Sequence, residues 1–95
     1  DSGYVRRQAF ARSDHPVEVV EVELPPGGRV DMPASSYARI RQVVRVVLGT
    51  LTLVEGGEQF VLEPGDCLGF GPPSDVTFAN DTAKPCLYLV VLTRS

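Results

Sequence analysis

The segment EPGDCLGFGPPSDVTFAN, Glu63 to Asn80, sets two short apolar runs between turn signals. In Pro64-Gly65, proline at the first central position and glycine at the second is the chemistry of a type II turn, because only glycine takes the positive φ there without strain. The run that follows stops at Gly71-Pro72-Pro73, and the next one ends at Asn80-Asp81. This pattern predicts a tight turn, a short strand, a loop and a second short strand. No histidine falls within the segment.

On the N-terminal side, Ile40 to Leu48, IRQVVRVVL, is the most β-branched run in the chain. Strand alternation puts Gln42, Val44 and Val46 on one face and Arg41, Val43, Arg45 and Val47 on the other. Gly49-Thr50 reads as a tight turn into Leu51 to Val54, and Glu55-Gly56-Gly57-Glu58 as a hairpin loop into Gln59 to Leu62. Farther upstream, Val17 to Leu24, VEVVEVEL, alternates valine with glutamate apart from a slip at Val19-Val20 that is consistent with a bulge. Pro25 to Gly28 ends that strand, and Arg29 to Ala38 reads as irregular or short extended structure. Tyr4 to Phe10 has the length and composition of a further strand, followed by a polar loop from Ala11 to Pro16. On the C-terminal side, Asp81 to Pro85 is a polar loop. Cys86 to Thr93, CLYLVVLT, is a last strand so uniformly apolar that burial on both faces is expected, in the wall of the fold or under a partner subunit. No segment carries a sustained 3.6-residue period, so one helical turn at most is expected.

Ninety-five residues with nine glycines and eight prolines make one small all-β domain, residues 1–95, of eight or nine short strands. Such strands hide their apolar faces in a sandwich or a closed barrel, and a double-sheet jelly roll leaves few open edges. The net charge of −3 excludes nucleic acid as a direct partner of this domain, since phosphate binding needs a basic face. Arg6-Arg7 reads as a solvated strand edge and not as a phosphate site. No apolar run approaches the length of a membrane-spanning helix, so no membrane partner is expected. The start at Asp1, without an initiator methionine or leader, is expected of a C-terminal piece of a longer cytoplasmic chain. Cys67 and Cys86 read as two small buried side chains, with a disulfide or a reactive thiol as the alternative. His15, the one histidine, stands in a polar loop between Asp14 and Pro16 and reads as a surface residue, because a metal site needs several such ligands.

At this point the chain resembles the cupins, small barrels marked by two motifs flanking a hairpin. The second motif runs Gly, five residues, Pro-x-Gly, two residues, His, three residues, Asn. Gly65 and Asn80 match its ends, Asp66 matches the usual Gly-Asp, and Gly71-Pro72-Pro73 sits where the family has its proline and glycine, while Val76 occupies the histidine position. In the first motif Gly28 and Gly49 match the ends, Gln42 occupies the glutamate position, and Ser35 and Tyr37 fall at or near the two histidine positions. The resemblance implies a double-stranded β-helix, or jelly-roll barrel. It also implies, by these departures, a barrel without a metal cofactor, since three imidazoles and a carboxylate hold the ion in the family and valine, serine, tyrosine and an amide replace them here. Glu23 to Asp31, Val46 to Leu53 and the leader Gly3 to Arg7 are further similar to the C-terminal cupin half of Xre-type helix-turn-helix regulators.

The expected function is accordingly that of a sensory and dimerising domain of a bacterial transcription regulator, with no catalytic residues. A small-molecule effector would occupy the barrel among Ser35, Tyr37, Gln42, Val76 and Phe78, a mixture of a few polar groups in apolar walls. The plainer alternative is that these side chains only fill the barrel. A stand-alone metal-free enzyme, such as an epimerase or isomerase, would need a titratable group in the pocket, for which Tyr37 and Tyr88 are the candidates. A ligand-free structural barrel is the third reading. A homodimer is expected in order to cover the last strand.

Overall fold

The computed structural model describes residues 5–12, 14–37, 40–71 and 74–94, with the backbone alone for Ser36, Tyr37, Ile40 and Arg94. Tyr4, Ala38 and the Pro72-Pro73 pair, on which parts of the sequence reading rest, lie outside the described residues. The strands run β1 (Val5–Phe10), β2 (Val17–Leu24), β3 (Arg29–Met32), β4 (Ile40–Leu48), β5 (Leu51–Glu55), β6 (Glu58–Leu62), β7 (Cys67–Gly69), β8 (Val76–Ala79) and β9 (Cys86–Arg94). One 3₁₀ turn, Ala34–Tyr37, joins β3 to β4. Two antiparallel sheets result, β1-β2-β9-β4-β7 and β3-β8-β5-β6, and they face each other across a single core. This is the all-β jelly-roll arrangement.

The local chemistry explains the turns. Gly65 sits at φ +91° and the Asp66 amide donates to the Glu63 carbonyl at 2.9 Å, the type II geometry expected of Pro64-Gly65. That turn is docked on β4, because the Gly65 amide donates to the Val46 carbonyl (2.8 Å) and the Val46 amide to the Asp66 carbonyl (3.1 Å). Gly56 and Gly57 both take positive φ, 57° and 88°, in the two-residue turn between β5 and β6. At Gly49, with φ +80°, a Cβ would stand 2.5 Å from the Pro85 carbonyl oxygen, so both conformation and space require glycine.

Alternation places the core. Gln42, Val44 and Val46 point inward from β4, while Arg41, Val43, Arg45 and Val47 are exposed on the other face. Val20, Val22 and Leu24 of β2 and Cys86, Tyr88, Val90 and Leu92 of β9 join them from the same sheet, against Leu51, Leu53, Leu62, Val76 and Phe78 from the other. Two expectations, those for β2 and for Cys67, need correction. β2 itself pairs with β9 in unbroken register, and the bulge lies in β1, between Gln8 and Phe10, opposite Val19-Val20. β9 is the central strand of the larger sheet, its inner row buried and its outer row, Leu87, Leu89 and Val91, only half-covered. Cys86 is buried as expected, but Cys67 is exposed, because the pairing Arg45↔Cys67 puts it on the outer face of the edge strand β7.

One end of the barrel is closed by Asn80, which is wholly buried. Its Nδ2 donates to the carbonyls of Leu24 (3.0 Å) and Lys84 (2.7 Å), and its Oδ1 accepts from the amide (3.0 Å) and hydroxyl (2.7 Å) of Thr82. Its backbone is paired too, accepting from Gly27 N at 2.8 Å and donating to Gly28 O at 2.9 Å. Asn80→Ala takes away the side-chain partners of the buried Leu24 carbonyl and of the Thr82 amide, and one of the two donors to the Lys84 carbonyl. It is expected to destabilise the fold by about 3 kcal/mol, a large share of the roughly 5–15 kcal/mol typical of a small domain, as measured by urea titration followed by circular dichroism.

Candidate functional site

The opposite end of the barrel is held by hydrogen bonds between loops. Ala34 at the start of the 3₁₀ turn donates its amide to Asp75 Oδ1 at 2.9 Å, and Gly56 donates to the Asp75 carbonyl at 3.0 Å. Gly71 donates to Glu55 Oε2 at 2.8 Å, and Phe70 donates to the Gln42 carbonyl at 3.1 Å. The pairings Met32↔Val76 and Glu55↔Val76 bring the ends of β3 and β5 to the same place. The 3₁₀ turn, the β5–β6 hairpin, the segment before β8 and the start of β4 thus form one rim.

Just inside that rim lies Gln42, 7% exposed, with a side-chain Nε2 that finds no hydrogen-bond acceptor among the described residues. Leaving a buried amide donor unpaired costs about 1–3 kcal/mol, and native proteins seldom tolerate it without a reason. Next to Gln42 begins a ladder of aromatic rings. Phe70 and Phe78 stand 6.2 Å apart between centroids, and Phe78 is stacked on Tyr88 at 5.5 Å with the planes 2° apart. The interior near the rim therefore presents one polar group and a flat apolar wall.

Of the five residues expected at the pocket, Gln42, Val76 and Phe78 are buried in the barrel. Ser35 is exposed on the 3₁₀ turn at the rim. Tyr37 closes that same turn, and its side chain lies outside the described residues. Tyr88 is buried within the aromatic ladder. Phe70 was not singled out by the sequence reading. Its signal was present, an aromatic residue just before Gly71-Pro72-Pro73, but nothing local says that the ring turns back over Phe78.

The residues at the family's ligand positions do not fit a transition metal. Val76 has no lone pair to give, and Gln42 presents a neutral amide whose NH₂ is a donor. Among the described residues no three histidine, cysteine, aspartate or glutamate side chains converge on a common point. Outside the rim, Asp31, Met32, Pro33, Asp75, Val76 and Thr77 line an open groove of about 370 Å³. Its carboxylates already have structural work: Asp31 accepts from the Thr77 hydroxyl at 2.6 Å and pairs with Arg29, which together hold its carboxyl below the usual range, and Asp75 caps Ala34.

The two thiols differ sharply. Burial alone pushes Cys86 up to about 11 from 9.0, so it stays protonated and unreactive at neutral pH. Between those values the unfolded chain gives up this proton and the folded chain keeps it, so the contribution of Cys86 is intact below pH 9 and is lost as pH rises toward about 11. Urea midpoints measured across that interval should fall, and fall less in Cys86→Ala. In the native protein a thiol reagent should modify Cys67 at once and Cys86 only on unfolding.

No curated protein matches the sequence. Among solved structures, the cupin domain of an XRE family transcriptional regulator from Enterobacter cloacae superposes with a TM-score of 0.88, 18% identity, and 97% of each chain covered. An HTH_3 family transcriptional regulator from Vibrio cholerae gives 0.84 at 13% identity, over 97% of this chain and 51% of that one. A sugar phosphate isomerase of the cupin superfamily from Silicibacter pomeroyi gives 0.67 at 32% identity, over 85% of this chain and 52% of that one. The same barrel thus occurs in regulators and in at least one enzyme, and this chain spans about half of the last two proteins. A cupin-domain family model matches residues 9–92, nearly the whole barrel described above, and the chain accordingly belongs to the cupin family.

Proposed function

We propose that this chain is the metal-free sensory domain of a bacterial transcription regulator, taking a small-molecule effector into the barrel and leaving DNA to another part of the protein. The observation that carries this reading is the buried Nε2 of Gln42, without an acceptor among the described residues, beside the Phe70–Phe78–Tyr88 ladder. A ligand that fits has an acceptor, such as a carbonyl, carboxylate or hydroxyl, for the amide and a flat or apolar part for the rings. Gln42 and Val76 carry the recognition, Phe78 the stacking, and Ser35 and Tyr37 belong to the rim through which the ligand enters.

The described interior also argues against catalysis. Its buried amides, Gln42 and Asn80, do not titrate and Asn80 is consumed by its own hydrogen bonds, while the buried Cys86 thiol is pushed up to about 11 and the Tyr88 ring is stacked on Phe78. General acid–base work needs a group that gives and takes a proton near neutral pH. The net charge of −3 supports an indirect link to DNA, in which effector binding biases the arrangement of attached DNA-reading parts, in the cytoplasm. A second reading, a sugar phosphate isomerase, is favoured by the 32% identity to the Silicibacter pomeroyi enzyme.

Gln42→Met separates these readings. Replacing an unpaired buried amide by an apolar group of similar shape is expected to raise stability by about 1 kcal/mol, which for a domain of this size is about 4–8 °C in melting temperature. A thermal-shift screen of amino acids, sugars, sugar phosphates and aromatic acids should find a class that raises the melting temperature of the wild type and not of Gln42→Met. Turnover of a sugar phosphate by the wild type would transfer the assignment to the isomerase. No shift with any class would leave a structural barrel.

A further inference from the structure

Gln42 and Phe70 are neighbours across two strands. The register Val44↔Leu68 and Val43↔Gly69 continues one step further, where the Phe70 amide donates to the Gln42 carbonyl at 3.1 Å. Leu68 opposes the buried Val44 and so lies on the inner face, and alternation returns Phe70 to that face beside Gln42. Side chains opposed in this way stand about 4.5–5.5 Å apart at Cβ. On its other flank Gln42 is paired with the buried Leu92 of β9. The amide of Gln42 is thus set between a half-buried aromatic ring and a buried aliphatic side chain.

Among the described residues Nε2 has no acceptor and no side-chain or backbone donor reaches Oε1. A primary amide in that state presents a donor and an acceptor side by side in one plane, and turning the amide over gives either order. A ligand with a lone acceptor meets half of that edge and leaves Oε1 desolvated without a partner. A carboxylate sets a second lone pair against Oε1, and it brings a charge to a place where no described lysine or arginine is buried to meet it. A sugar or its phosphate would press hydroxyl and phosphate oxygens against Phe70 and Leu92, which offer them nothing.

From this amide edge and the ring beside it we infer that the effector is an uncharged, planar molecule carrying a donor and an acceptor side by side: a carboxamide, a lactam or an amino-substituted nitrogen heterocycle. The inference rests on the effector reading above and narrows it to one chemical class. Two hydrogen bonds form in the plane of the Gln42 amide, while the flat body of the ligand lies along Phe70 and the apolar wall. Side-chain amides recognise the donor–acceptor edge of adenine by the same bidentate pairing. Gln42 is in this view the specificity-determining residue, because the order and sign of its two polar atoms select the edge of the ligand.

Three probes of similar size and shape test this: benzamide, with a donor and an acceptor, benzoate, with two acceptors, and benzamidine, with two donors. Each is titrated into the protein and followed by the NMR shifts of Phe70 and Leu92. The wild type should bind benzamide at least about tenfold more tightly than either of the others. In Gln42→Glu, at about pH 8 where a carboxyl is ordinarily ionised, the order should invert in favour of benzamidine, whose two donors then meet two acceptors. Gln42→Met should bind the three alike. The spectrum of each variant establishes that it is folded, and if Gln42→Glu is not, the lost preference of Gln42→Met decides. A wild type that binds none of the probes, or takes benzoate as tightly as benzamide, overturns the inference. So does a Gln42→Met that still prefers benzamide, or a folded Gln42→Glu that keeps the wild-type order. The effector reading is judged separately, since a Gln42-dependent sugar or aromatic acid in the broader screen retains it while removing this narrower one.

Discussion

The barrel depends on the hydrogen bonding of one side chain, the amide of Asn80. Two loops far apart in sequence, Pro25 to Gly28 and Asn80 to Lys84, must meet at the closed end around the buried Gly28 and Asn80, where no strand ladder satisfies their backbone groups. Asn80 supplies two donors to Leu24 and Lys84 and an acceptor to Thr82, while its backbone bonds Gly27 and Gly28. A neutral amide is suited to this because it donates and accepts at once with no charge to desolvate. Gly28 completes the arrangement, since a Cβ there would stand 2.8 Å from Leu24 Cδ1 and 2.9 Å from the Pro25 carbonyl.

The opposite end contrasts with it. Asn80 and Gln42 are the buried polar residues described, and both are amides, yet one is fully paired and the other keeps a donor without an acceptor among the described residues. A core of aliphatic residues and stacked rings could have closed over an apolar side chain at residue 42 with less cost. Keeping a polar group at the rim of a small barrel, beside rings that offer a flat wall, is what a binding site requires and what stability alone disfavours.

The strand plan was legible in the sequence because its determinants are local. Pro64-Gly65, Gly56-Gly57 and Gly49 carry their turn conformations in residue type alone, and the alternation from Arg41 to Val47 assigns inside and outside without reference to any neighbour. The departures at Val76 and Gln42 were legible for the same reason, as residue types that cannot do a metal ligand's work. What misled was strand order. Cys67 looks like an interior residue within CLGF, and only its pairing with Arg45, on the outer face of an edge strand, exposes it. CLYLVVLT has no alternation, so its two faces are indistinguishable until β2 and β4 flank it.

The sequence by itself therefore determined the all-β class, the turns, the two motif ends and the loss of the metal ligands, since each follows from the chemistry of a few consecutive residues. Only the tertiary structure decided that Gln42 is buried without an acceptor among the described residues, that Phe70 and Tyr88 join Phe78 in one ladder, and that Phe10, Val19, Val91, Val43 and Gly69 fall in one row. Those facts arise from pairings between strands distant in the chain, and no local preference of the backbone specifies which strands those are.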